Sequence, residues 1–175
     1  SRALSANTAF YNLPRKFKVS VAGCRQWCTY PEINEVGLTA VQRKSGSGIE
    51  TGYSIRVGGG LSKEPHLGVR LNAFLHPHQV VSVVHGVAEL FRSQQVLRES
   101  RDRARLKYLF LKHDWNAERF LTELEAVLGY RLDPAAEENI PDDVFRDHIG
   151  THRQKQEGLS FVGSSGLRGR MSGDQ

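Results

Sequence analysis

Residues 12–28 read NLPRKFKVSVAGCRQWC, and this stretch frames the rest of the 175-residue chain. Pro14 fixes its own φ and biases Leu13 towards an extended conformation. Beyond it, apolar and polar residues alternate. Phe17, Val19 and Val21 fall on one face of a strand, with Lys16, Lys18 and Ser20 on the other. The apolar face suits a core. The opposite face carries two ammonium groups roughly 6.5–7 Å apart along the strand, which repel each other unless water or an anion lies between them. One reading is a solvent-facing edge strand whose lysines discourage aggregation. The other is an anion site.

The rest of the composition bears on that choice. Lys+Arg number 24 against 19 Asp+Glu, a net charge of +5, and 39% of residues are hydrophobic. Such a chain is long and apolar enough for one domain with a core, which argues against general disorder. The cationic excess favours an anionic partner without choosing one. Two cysteines make no disulfide framework, so the expected compartment is the reducing cytoplasm. No apolar run approaches membrane-spanning length. The opening SRALSANTAF has neither an initiator Met nor an apolar signal core, and the closing GLRGRMSGDQ ends without a clear element. Both ends read as cuts in a longer protein.

In chain order, the strand beginning at Lys16 ends at Gly23, and Cys24 and Cys28 follow. Two thiols are too few for an iron–sulfur cluster. His66, His76 and His78 have no paired-ligand spacing for zinc. The cysteines are therefore read as small buried residues, with no metal assigned. Val36–Gln42 reads as a second strand, RKSGSGIETG as a hairpin loop, and Tyr53, Ile55 and Val57 as a third strand running into Gly58, Gly59 and Gly60. Three glycines let a backbone lie flat against something large or adopt unusual dihedrals. From His78 to Phe91 the period becomes helical, with Val80, Val83, Val84, Val87, Leu90 and Phe91 in one stripe. Arg98–Lys112 reads as a basic second helix, and Asn116 caps a third that stops at Gly129. Residues 133–158 read as a polar linker. The expected class is α+β, a short antiparallel sheet (16–60) with three packed helices (78–129).

Taken in order, NLPRKFKV, GC with a second Cys, NEVGL, GYSIRVGGGLS, ARLKYL and QKQEGLSFVG resemble the siroheme-containing sulfite and nitrite reductases. LPRKFK and VGGGLS are the specific parts. The resemblance implies a siroheme-binding domain over 1–132 and, over 159–175, the truncated start of a second ferredoxin-like half. It implies an oxidoreductase of assimilatory type that reduces sulfite to sulfide or nitrite to ammonia, with siroheme and a four-iron cluster as cofactors. Ferredoxin or a flavoprotein is the implied electron donor, and the remainder of the same polypeptide the implied partner. No membrane and no specific nucleic acid are expected.

Lys16 and Lys18 would then face the substrate, a catalytic and cofactor-binding role. Arg15 would pair with siroheme carboxylates through its planar fork, and Gly58, Gly59 and Gly60 would meet the macrocycle. For Arg15 and Lys16 to share a side, the chain must bend near Pro14. Lysine at the second position tends to mark sulfite reducers in the family and asparagine plant-type nitrite reducers, so Lys18 tilts the reading to sulfite. The family's four cluster cysteines lie in its second half and are absent here, so the fragment alone is expected to be inactive. The alternative is a basic α+β domain that binds nucleic acid or an acidic protein through Arg98–Lys112.

Overall fold

The computed structural model describes residues 4, 7–23, 29–46 and 48–136, together with the backbone of 150–153, 162–165 and 171–172. The alternation after Pro14 does yield a strand, but a later one than expected: β1 spans Val19–Ala22. It pairs in parallel with β2 (Val36–Ser45), Val19 opposite Val36 and Ala22 opposite Thr39. β2 turns back into β3 (Gly48–Val57), antiparallel from Val36↔Val57 to Ser45↔Gly48. β4 (Val69–Leu75) lies antiparallel to β3, giving the order β1-β2-β3-β4.

The α+β class holds, and the sheet differs from the expected one in three respects. Its first pair is parallel, because the connection 23–35 is long enough to return the chain to the same end. It gains β4, a stretch the sequence reading leaves unassigned, where Leu71, Ala73 and Leu75 alternate into the core and are fully buried. The run expected as a hairpin loop is mostly ladder. Arg43 stands opposite Glu50, and their side chains form an ion pair at 2.8 Å. Backbone pairing and cross-strand charge outweigh the turn propensity of the glycines and serines there.

Helix α1 (Val80–Ser93) lays Val83, Val87, Leu90 and Phe91 into the core, as its period predicts. The expected basic helix is broken. It consists of 3-10 turns at Gln95–Arg98 and Arg101–Arg103, then a short α2 (Tyr108–Lys112). The reason is visible in the side chains. Arg105 and Lys107 both donate to the Leu61 carbonyl, at 3.3 and 3.2 Å. On a continuous helix, residues two apart do not share a face. Helix α3 (Ala117–Leu128) starts where Asn116 accepts the Arg119 N–H at 2.8 Å and ends at Gly129, φ +75°. The three helices and the sheet share one core that includes Leu38, Ile55, Leu71, Phe91, Leu109 and Phe120. Fully burying each such side chain is worth about 1.5–3 kcal/mol over leaving it exposed.

The chain divides into two units, Ser1–Pro141 and Asp142–Gln175. The second contains three antiparallel strands in sequence order, β5 (Gly150–Arg153), β6 (Val162–Ser165) and β7 (Met171–Ser172). β5 falls within the stretch read as linker. Asp133–Ala136 belong to the first unit and run along β4: the Phe74 N–H donates to the Asp133 carbonyl, and the Ala135 N–H to Asn72 Oδ1 at 3.1 Å. Cys24, Cys28 and His148 lie outside the described residues.

Asp133 also closes an ionic cluster. His76 Nδ1 lies 2.8 Å from Glu50 Oε1 and its Nε2 3.1 Å from Asp133 Oδ2, while Arg43 bonds both carboxylates. Arg43, and after it His76, holds the Asp133 carboxyl below the usual carboxylate range. A carboxyl depressed in the folded state contributes stability above its unfolded value and loses it as pH falls through the folded one. Asp133→Asn should therefore lower the melting temperature at neutral pH, with the gap to wild type closing as pH falls below the carboxylate range. A gap that ignores pH would show that the charge contributes nothing.

Candidate anion-binding site

The segment that carries Arg15, Lys16 and Lys18 is held from three sides. Arg98 Nη2 donates to the Asn12 carbonyl at 2.6 Å. Arg15 Nη1 donates to the Arg101 carbonyl. Phe17 stacks on Phe91 with ring centroids 6.0 Å apart. The chain bends at Pro14 and Arg15, as required for Arg15 and Lys16 to share a side. Lys18 is placed differently. Its ammonium donates to the Ile33 carbonyl at 3.3 Å, and its main-chain N–H to Glu35 Oε2 at 2.9 Å. Both lysines precede β1, so they are not presented side by side from one strand face as the alternation implied.

Arg15 and Lys16 stand where two cavities meet. One, of about 740 Å³, is largely apolar, with Phe10, Leu13, Phe17, Val19 and Val81 in its wall. The other, of about 300 Å³, is cationic. Besides Arg15 and Lys16 it is lined by Lys63, Arg105 and Lys107, against the single carboxylate of Asp102. Cations held round a small cavity favour an anion in it, because their mutual repulsion is relieved when it binds. Lys107 is almost wholly buried, and its ammonium donates to the carbonyls of Leu61 and Glu64. Burial, then the neighbouring Arg105, pushes it below its ordinary pKa.

The glycine triplet, which ends two residues before the cavity-lining Ser62, is buried. Gly58 takes φ +74°, and a Cβ there would strike the Phe110 ring. A Cβ on Gly59 would run into the Glu32 carbonyl, and one on Gly60 into the Arg105 guanidinium. The three glycines thus answer first to contacts within the domain. His66 Nδ1 lies 2.9 Å from the Gly58 carbonyl oxygen, and the main chains of Gly60 and His66 bond both ways, at 2.8 and 3.0 Å.

One carboxylate ties these parts together. Glu35 is fully buried. Its Oε2 receives the Lys18 N–H, its Oε1 receives Arg105 Nε at 2.8 Å and Arg105 Nη2, and its carbonyl accepts the Gly58 N–H at 3.0 Å. Glu35 and Lys63 are functional candidates that residue-by-residue reading of the sequence passes over. The signals were there: a lone acid immediately before the apolar β2, and a lysine directly after GGGLS. Arg105 and Lys107, read as part of a basic face, are buried instead, which removes two cations from any nucleic-acid surface. Among the described residues, no group of His, Cys, Asp and Glu is arranged to hold a metal ion.

The arrangement is an α+β domain with a small cationic cavity beside a larger apolar one. Residues 1–132 match the family model described as the nitrite and sulphite reductase 4Fe-4S domain, and the chain belongs to that family. It is 33% identical to a ferredoxin–nitrite reductase of Leptolyngbya laminosa, over 90% of this chain and 30% of that protein. It is 36% identical to sulfite reductase [ferredoxin] 2 of Mycolicibacterium paratuberculosis, over 94% of this chain and 28% of that one. Among solved structures, the NirA protein of Mycobacterium tuberculosis superposes with a TM-score of 0.75 at 32% identity, over 95% of this chain and 29% of that one. The chain thus spans about 30% of the length of these relatives.

The glycine contacts give a direct test. Gly59→Ala should destabilise the domain by about 1–3 kcal/mol in denaturant unfolding, because the colliding atom is backbone and cannot rotate away. Gly46→Ala, where nothing lies within 4 Å of the added carbon, should stay within about 0.5 kcal/mol of wild type. Equal effects would mean that the close approach to Glu32 is not a constraint.

Proposed function

We propose that this chain is the siroheme-facing part of an assimilatory sulfite or nitrite reductase. The observation that carries the reading is the cationic cavity at the LPRKFK segment, set beside an apolar wall. A flat macrocycle rimmed with carboxylates needs both surfaces, so the donor set fits siroheme. The exposed Arg15 and Lys63 would hold its carboxylates, Arg15 through its planar fork, while the buried Lys107 adds positive charge to the cavity. When bound, siroheme with its four-iron cluster would supply the iron centre and relay, one at a time, the six electrons that the external donor provides. The family resemblance assigns the backbone of Gly58, Gly59 and Gly60 to the macrocycle. Gly59 and Gly60 contribute by letting the Glu32 carbonyl and the Arg105 guanidinium pack closely against the turn.

Lys16 is the group best placed to act on the substrate. It is exposed at the junction of the two cavities, where its ammonium would attract sulfite or nitrite and deliver protons as oxygen leaves as water. The Lys18 ammonium, which donates to the Ile33 carbonyl at 3.3 Å, adds a second positive charge for the substrate anion. Its identity as lysine favours sulfite over nitrite. The electron donor is ferredoxin or a flavoprotein, and the compartment is the cytoplasm. No helix among the described residues is long and apolar enough to cross a membrane. The chain alone should be inactive, since the cluster is assigned to cysteines elsewhere in the polypeptide.

The test uses the intact polypeptide. Lys16→Ala should keep the fold and the siroheme absorbance yet lose about 10²–10³-fold in turnover, the effect of removing one preorganised cationic donor. Lys18→Asn should be milder on nitrite than on sulfite, since nitrite carries less charge. Normal sulfite turnover in both loaded variants would refute the assignment.

A further inference from the structure

We propose that Glu35 is a positioning residue for this site: its two carboxylate oxygens fix the main chain of Lys18 and the guanidinium of Arg105 against each other, and so decide where Lys16 stands. The inference rests on the function proposed above and goes beyond it by adding a residue that touches neither substrate nor cofactor.

The argument starts from acceptor supply. Oε2 takes the Lys18 N–H at 2.9 Å, and Oε1 takes two N–H groups of Arg105. Both oxygens are thus committed, each to a different segment of the chain. The Lys18 carbonyl in turn accepts the Val36 N–H at 3.1 Å, and the Glu35 carbonyl accepts the Gly58 N–H at 3.0 Å. The lysine segment, the start of β2, the glycine turn and the stretch before α2 therefore meet on one residue. The ion pair at this junction is buried: Glu35 is 0% exposed and Arg105 7%. Lys16 lies two residues before the N–H that Glu35 holds. Its neighbour Phe17 is stacked on Phe91, so the segment is held at two points, and freeing the Lys18 point lets it pivot about Phe17 and moves Lys16.

Charge gives the second part of the argument. Arg105 lines the cationic cavity, and Glu35 is the carboxylate that neutralises it. Glu35→Gln keeps the shape but offers one acceptor oxygen, and its amide group donates where only donors face it. One of Lys18 N–H and Arg105 must lose its partner, and Arg105 loses its counter-charge. The two effects pull kinetic parameters in different directions. Misplacing Lys16 lowers turnover. An uncompensated guanidinium beside the cavity strengthens attraction for an anion.

The experiment uses the intact polypeptide with siroheme bound. In E35Q, kcat for sulfite should fall about 10–10²-fold, while KM stays level or drops. Independently of turnover, hydrogen exchange in peptides covering residues 16–22 and 57–61 should speed up at least about tenfold, while a peptide from α3 stays unchanged. Should E35Q not fold, E35D takes its place with the same two readouts, since it keeps both oxygens on a shorter arm. Wild-type kcat and KM in a loaded variant, with only a lowered melting temperature, would overturn the positioning role. So would unchanged exchange at residues 16–22. Failure of the underlying reading shows separately, as wild-type protein that lacks siroheme absorbance or sulfite and nitrite turnover.

Discussion

A single buried ion pair, Glu35 with Arg105, determines how the rest of this domain is arranged. Two charges withdrawn from water lose several kcal/mol of hydration apiece. They persist only where every donor and acceptor is used, and here both oxygens of Glu35 are committed and Arg105 reaches on to the Leu61 carbonyl. Removing one partner would leave the other charge buried, a loss of about 3–5 kcal/mol. The pair adds direction more than stability. A guanidinium is planar and its donors have fixed angles, so docking it on a carboxylate sets the separation and tilt of the segments that carry them.

The same constraint explains why the basic stretch is not a helix. Arg98 ties down Asn12, the Arg101 carbonyl takes Arg15, Arg105 takes Glu35, and Lys107 gathers the carbonyls of Leu61 and Glu64. Their bonds run to several loops at once, which a single helical face cannot do. A cationic cavity results almost as a by-product. Arg105 and Lys107, brought in to fasten loops, meet Arg15, Lys16 and Lys63 at one place. In the low dielectric of a partly buried cavity, like charges at such range make an empty state unfavourable and an anion-filled one favourable. Scaffold and binding chemistry draw on the same side chains.

Much of the architecture was legible because it depends on local signals. Asn116 and Gly129 delimit α3 by satisfying its terminal N–H and carbonyl groups, which depends only on the neighbouring turn. The stripe from Val83 to Phe91 is a period that only a helix can bury on one side. β4 was harder to see: Arg70 and Asn72 interrupt its apolar residues, and both find partners on the segment just beyond α3, far along the chain. The hairpin ladder through Arg43 and Glu50 was hidden for a similar reason. Its turn-like composition is overruled by a cross-strand ion pair that exists only once the register is set.

What the sequence by itself determined is the class of fold, the family, and the identity of Arg15, Lys16 and the glycine triplet as residues of interest. The fold class follows from periodicity and capping; the family and those residues follow from the resemblance carried by LPRKFK and VGGGLS in their order along the chain. What only the tertiary structure decided is which cations meet. Lys18, two residues from Lys16, turns to the Ile33 carbonyl, whereas Lys63 and Lys107, far off in sequence, share Lys16's cavity. Side-chain direction near a strand end depends on where regular pairing begins, and pairing begins at Val19 because its partner strand starts at Val36, immediately after Glu35. Charge count is a property of the sequence; charge convergence is a property of the packed loops.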